Sequence, residues 1–215
     1  MSFKNRLLDF VAHRLQRRLA PQAGISAEPA ESTKDFQHKI EENSPLRLHI
    51  GGLEPKEGWK ILNINTGPQV DFHGDIHDLS QFQTNSILEI YASHVLEHVG
   101  QGAAPEVFHS LHRVLQPGGR LMISVPDLEV LCALYLEAAE KPGQRHHVMR
   151  MMFGGQTDAY DFHYIGYDFH FLSSLLTAAG FSTVQRVENF GLFSDTSSYV
   201  CYGRAISLNL IATKP

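Results

Sequence analysis

Cysteine is scarce in this chain: two residues in 215, Cys132 and Cys201, far apart and with no CxxC partner. That excludes a disulfide framework and fits a reducing compartment, with the two thiols serving as small core hydrophobes. No apolar run approaches the ~18 residues of a membrane span. No apolar leader opens the chain, so neither a transmembrane helix nor a secretory signal is expected, and the expected location is cytoplasmic. A basic excess is missing too. The 18 Lys+Arg stand against 23 Asp+Glu, for a formal net charge of -5. Nucleic-acid binders usually show the opposite balance, so no nucleic-acid partner is expected. With 43% hydrophobic residues, the chain suffices for one ordinary domain with a single sizeable core.

What the chain has in quantity is histidine, 13 residues in all. Three features of "YASHVLEHVG", His94, Glu97 and His98, spell H-x-x-E-H, the pattern of one class of zinc peptidase. Such a site needs a helix carrying both histidines one turn apart on one face. Here "SILEIYAS" reads as a strand running straight into His94, and Gly100, Gln101 and Gly102 follow almost at once. With so many histidines the match reads as coincidence, and no metal is expected.

Residues 1–20 read as a basic amphipathic helix: Phe3, Leu7, Leu8, Val11, Leu15 and Leu19 recur at helical spacing among Lys4, Arg14, Arg17 and Arg18. Three uses fit it: packing on its own domain or a dimer partner, peripheral contact with an anionic membrane, or organellar targeting. Residues 21–45, rich in Pro, Ala, Ser and Glu, read as a flexible linker. From residue 46 short β-type segments alternate with helical ones. "APEVFHSLHRVLQPGG" is a helix opened by Pro105 and stopped by Pro117-Gly118-Gly119, and "DFHFLSSLLTAAGF" is another, ended by Gly180. The alternation predicts a mostly parallel α/β sheet over 46–215. Two links conflict with it. "ILNINTGPQVDFHG" reads locally as a hairpin, and "GGLEPKEGWK" is short for a crossover.

In order, "LHIGG", "EGWKILNIN", "VDFHGDIHDLS", "SILEIYASHVLEHV" and "HRVLQPGGRLMISVPDL" resemble a class I S-adenosylmethionine-dependent methyltransferase. The likeness continues through "FGGQTDAYDFH", "AAGF", "FSDTSS" and "ISLNLIA", and is greatest to small bacterial members often linked to polysaccharide biosynthesis. It implies a Rossmann-like sheet, mostly parallel with a C-terminal antiparallel strand, and with reduced helices between the first three strands. It implies S-adenosyl-L-methionine as cofactor, held where the strands end. Carried over by position, Gly51 and Gly52 would let the backbone approach the methionine part. Asn65, ending the second strand, would bond the ribose hydroxyls. Asp75 would accept from the adenine amino group, with Ile76 against the ring, and Ser93 and His94 would face the crevice from the fourth strand. Two positions depart from the family pattern: Leu53 stands where a second glycine is usual, and Asn65 where an acid is usual.

The polar segment 151–168 falls where such enzymes carry substrate-covering insertions. It nominates His163 as the base and Asp161 as its orienting partner; Asp127 would face the cleft or cap the next helix, and Asp195, Thr196 and Ser197 would close one side. The expected reaction is O-methylation of a hydroxyl on a small molecule or glycan. The alternative from another class is a non-catalytic binding or scaffold protein on the same fold, with the cofactor lost.

Overall fold

A computed structural model describes residues 45–215; the segments read as N-terminal helix and linker, apart from Pro45, lie outside the described residues. One seven-stranded sheet runs β3-β2-β1-β4-β5-β9-β6. Its strands are β1 (Leu46–Ile50), β2 (Lys60–Asn63), β3 (Phe72–His73), β4 (Ile87–Ser93), β5 (Leu115–Pro126), β6 (Thr183–Val187) and β9 (Ser207–Thr213). A small hairpin, β7 (Val200–Cys201) with β8 (Arg204–Ala205), stands apart. β1 to β5 pair in parallel, whereas β9 lies antiparallel to both β5 and β6. The helices are α1 (Ala104–Val114), α2 (Leu128–Glu137), α3 (Pro142–Phe153) and α4 (Phe169–Ala178). Among the described residues no helix is long and apolar enough to cross a membrane.

The two doubtful links resolve in favour of parallel pairing. β3 meets β2 only at Leu62↔Phe72 and Asn63↔His73, and residues 51–59 and 64–71 form no helix. Strands this short make a bare loop sufficient. Four residues of strand rise about 13 Å, and an eight-residue loop can reach about twice that. α1 ends at Val114, three residues before the Pro-Gly-Gly turn, which lies inside the irregular start of β5 with Gly118 at φ 76°.

One face of the sheet packs conventionally. Leu48, Ile50, Leu62, Ile90 and Ile123 meet α1 through Phe108 and Leu111 and α4 through Leu172 and Leu176. The second face, over β1, β4 and β5, is built differently. Trp59, Tyr91 and Met122 are covered by Phe190, Leu192 and Phe193, from the loop between β6 and β7. The Tyr91 hydroxyl donates to Asp195 Oδ2 at 2.7 Å, tying that loop down. His49 is sandwiched in this aromatic layer, 4.0 Å from the Phe193 ring centroid and 5.1 Å from that of Tyr91.

Burial lowers the His49 pKa to about 4, against a weaker opposing pull from Asp195. An unfolded histidine titrates near 6.5. Between those two values the unfolded chain binds more protons, so stability is complete above pH 6.5 and is lost as pH falls toward 4. The gap corresponds to roughly 3 kcal/mol. Urea unfolding of His49→Phe should therefore show a shallower acid loss between pH 6.5 and 4 than the parent chain. Equal pH slopes in both proteins would contradict a neutral buried His49.

Candidate functional site

The chain runs outward from β1 through β2 to β3, then returns to β4 on the other side of β1. The carboxyl ends of β1 and β4 therefore flank a point where connections part, the usual ligand crevice of such a sheet. Gly51 turns the chain there at φ 75°, and its N–H donates to the Leu62 carbonyl at 2.8 Å. A Cβ at this position would stand 2.7 Å from Val95 Cγ2, so only glycine lets the two strand ends come this close. Gly52 is buried, and its carbonyl accepts from Asn63 Nδ2 at 2.9 Å. Leu53 is 53% exposed and plugs nothing in the core.

β2 ends at Asn63, not at Asn65 as the sequence suggested. Asn63 is buried like Ile61 and Leu62 before it, and at this strand end its Oδ1 accepts from the Asn65 N–H at 2.9 Å while Nδ2 holds Gly52. Asn65 lies two residues on, exposed. Asp75 is half-buried after β3; its Oδ1 accepts from the His77 N–H at 3.0 Å and sits 2.6 Å from His77 Nδ1. Ile76 is 4% exposed and belongs to the main core with Leu79 and Phe82.

β4 ends at Ser93, and His94 follows at φ 53°, its N–H bonded to the Ser124 carbonyl at 2.8 Å. That left-handed residue swings the chain into a single 3-10 turn, Leu96–His98. Too short for a zinc-peptidase helix, the turn does what the sequence did not reveal. It buries Glu97 to 1% exposure and surrounds it with imidazoles. His94 Nδ1 is 3.1 Å from Glu97 Oε1, while His94 Nε2 lies 3.0 Å from the Ser207 hydroxyl of β9. The loop after α3 crosses over this turn. Tyr164 N–H donates to the Glu97 carbonyl at 2.8 Å, and the His163 and His98 rings meet edge to face at 4.9 Å. Burial favours the neutral acid at Glu97, but His94, His98 and His163 overcome it and hold the pKa below the ordinary carboxylate value. At His163 burial prevails and lowers the pKa, although Glu97 pulls the other way.

The structure thus brings His163 to Glu97 and separates it in role from Asp161. Asp161 folds its own loop, accepting from Gly155 N, Thr157 N and Thr157 Oγ1 at 3.3, 3.2 and 2.7 Å. Its carboxylate is spent on these bonds, which the sequence spacing could not reveal. Asp127 caps α2 by accepting from Glu129 and Val130 N–H groups and pairs with Arg186 at 2.5 Å, so it is a structural cap. Asp195 caps the turn Thr196–Ser198 besides holding Tyr91, and the Thr196 carbonyl accepts from Ser207. Exposed Phe153, Tyr160, Phe162 and Tyr164 stand on the crossing segment that carries His163, with Phe162 stacked on Tyr164 at 6.3 Å.

Residues 52–123 match the model of a family described as a methyltransferase domain. None of the curated proteins matches the chain. Among solved structures, a possible exported protein from Bordetella parapertussis superposes with a TM-score of 0.50 at 13% identity, covering 85% of this chain and 66% of that one. The YcgJ protein from Bacillus subtilis gives 0.50 at 12% identity, over 80% and 92% of the two chains. An S-adenosylmethionine-dependent methyltransferase from Methanosarcina mazei gives 0.48 at 17% identity, over 86% and 99%. The chain spans just under two thirds of the length of the first of these. At such identities the two superpositions at 0.50 speak for the fold alone. The strand order is that of a Rossmann-like, mostly parallel sheet closed by a C-terminal antiparallel strand, and within it residues 52–123, about a third of the chain, match a methyltransferase-domain model.

Proposed function

We propose that the domain transfers a methyl group from S-adenosyl-L-methionine to a hydroxyl of a small molecule or glycan. The observation that carries this reading is the placement of two groups at adjoining strand ends: the Gly51–Gly52 turn against β4, and the imidazole–carboxylate cluster just beyond β4. The residues at the edge fit the cofactor. Gly51 keeps clear a place that a Cβ would fill, and the Asp75 carboxylate holds His77 through one oxygen, Oδ1. Gly51 and Gly52 would hold the methionine part, Asn65 the ribose hydroxyls, and Asp75 the adenine amino group. Ile76 would support the ring from within the core, and Ser93 and His94 would border the reacting end.

S-adenosylmethionine supplies a methyl already activated on a sulfonium, so the protein's share is alignment, exclusion of water and disposal of one proton. The segment over Glu97 supplies the acceptor side. Its exposed Phe162 and Tyr164 offer flat apolar faces to a ringed acceptor, and the cluster containing His163 receives the hydroxyl there. The two free cysteines, Cys132 exposed and Cys201 buried, fit a cytoplasmic setting. The scaffold alternative draws support from one feature. Asn65 stands where an acid is usual, and its neutral amide forgoes the charge-assisted hydrogen bond that an acid would make to the ribose.

Two outcomes follow. In calorimetric titration, Asp75→Ala should weaken S-adenosylmethionine binding by about tenfold or more, the value of a charge-assisted hydrogen bond; unchanged affinity would remove the adenine site. Once an acceptor is found, His163→Ala should lower kcat by at least about a hundredfold with cofactor affinity preserved. Full turnover in that variant would place the acceptor elsewhere.

A further inference from the structure

The His94-Glu97-His98 spacing does not form a peptidase-type helix, but its last two residues meet a third group from another part of the chain. Glu97, His98 and His163 each offer one ligand atom, and these atoms all lie within 4.8 Å of one another. We propose that Glu97, His98 and His163 form a two-histidine, one-carboxylate site for a divalent transition-metal ion such as zinc, binding the 154–166 loop to the turn after β4.

Three observations carry it. The first is the state of the rings. His98 Nδ1 lies 3.0 Å from the Phe162 carbonyl, which can only accept, so Nδ1 carries the proton and Nε2 keeps its lone pair. The His163 ring meets that of His98 edge to face at 4.9 Å, and its Nδ1 is buried with no hydrogen-bond partner. A ring anchored to a backbone carbonyl through one nitrogen and free at the other, as at His98, is the usual arrangement of a metal-binding histidine.

The second is the carboxylate. Glu97 is 1% exposed, and neither of its oxygens completes a hydrogen bond of good geometry, although His94 Nδ1 approaches Oε1. A buried carboxylate left short of partners is costly, and coordination to a cation is one of the few arrangements that offsets it. His94 is held on its far side by Ser207, so it fixes the carboxylate's orientation and leaves Oε2 for an ion. The first histidine of the motif therefore positions, and the second binds.

The third is size. An ion at the centre of a triangle 4.8 Å on a side would stand about 2.8 Å from each corner. Inward movement of under about 1 Å reaches the 2.0–2.2 Å of zinc–nitrogen and zinc–oxygen bonds. Three protein ligands leave a fourth position, and this donor set suits zinc and other late first-row divalent ions. Under the methyltransferase reading, on which this part alone rests, that position receives the acceptor hydroxyl. Coordination would then make its proton easier to lose.

The test uses metal-stripped, untagged full chain titrated with Zn²⁺ by calorimetry and with Co²⁺ by visible absorption, beside His98→Ala, His163→Ala and the exposed His109→Ala. The proposal expects one equivalent bound, the Co²⁺ spectrum of a low-symmetry site, and affinity weakened more than about tenfold in His98→Ala and in His163→Ala but not in His109→Ala. It is overturned if the parent chain binds no ion up to millimolar concentration, or if either ligand variant binds as the parent does. His98→Gln replaces the alanine variant should circular dichroism show that one unfolded. S-adenosylmethionine titrated into the same metal-free protein separates the two readings, since cofactor binding without metal binding sinks only this one.

Discussion

The parallel seam between β1 and β4 is the constraint on which the rest of this molecule turns. Leu48 pairs with Ile90 and Ile50 with Ala92 along it, and both strands end at the same level. Because the chain departs from β1 in one direction and returns at β4 from the other, no connection covers the gap between their ends. Gly51 approaches Val95 there so closely that a side chain would collide. Every candidate group is placed by reference to this seam: Asn63 secures the loop after β1, and the left-handed His94 directs the turn after β4.

The second face of the sheet shows how a short chain manages without helices between its first strands. A parallel sheet needs cover on both faces. Here the late loop carrying Phe190, Leu192 and Phe193 lies over Trp59 and Tyr91 and takes the place of a crossover helix. Since the same loop continues through Asp195 to Thr196, whose carbonyl accepts from Ser207 of β9, its packing is joined to the partner of His94. Covering the sheet and orienting the cluster are thus one structural arrangement.

Much of this was legible in the residues, and the limits have physical reasons. The alternation of strands and helices and the helix opened by Pro105 follow from local pattern and turn chemistry, whereas the short links 51–59 and 64–71 read locally against parallel pairing, and only the pairing itself settles them. The end of β2 was misplaced by two residues because Asn63 and Asn65 are chemically alike, and only pairing with β3 shows where the strand stops. Pairing His163 with Asp161 relied on nearness in sequence. Asp161 instead satisfies backbone N–H groups in its own loop, and His163 crosses to Glu97. That meeting is a tertiary contact between distant segments, and periodicity carries no record of it. The H-x-x-E-H pattern was set aside correctly as a helix motif, yet it marked the turn on which the cluster is built.

The account stands or falls on whether the seam holds a nucleoside sulfonium. Calorimetric titration of the full chain, first freed of any carried ligand as judged by mass spectrometry, with S-adenosylmethionine and S-adenosylhomocysteine addresses this directly. The account predicts one equivalent bound with micromolar affinity, roughly 8 kcal/mol. Folded, ligand-free protein that binds neither compound up to millimolar concentration would contradict it, and would mark Leu53 and Asn65 as signs of a fold kept without its cofactor.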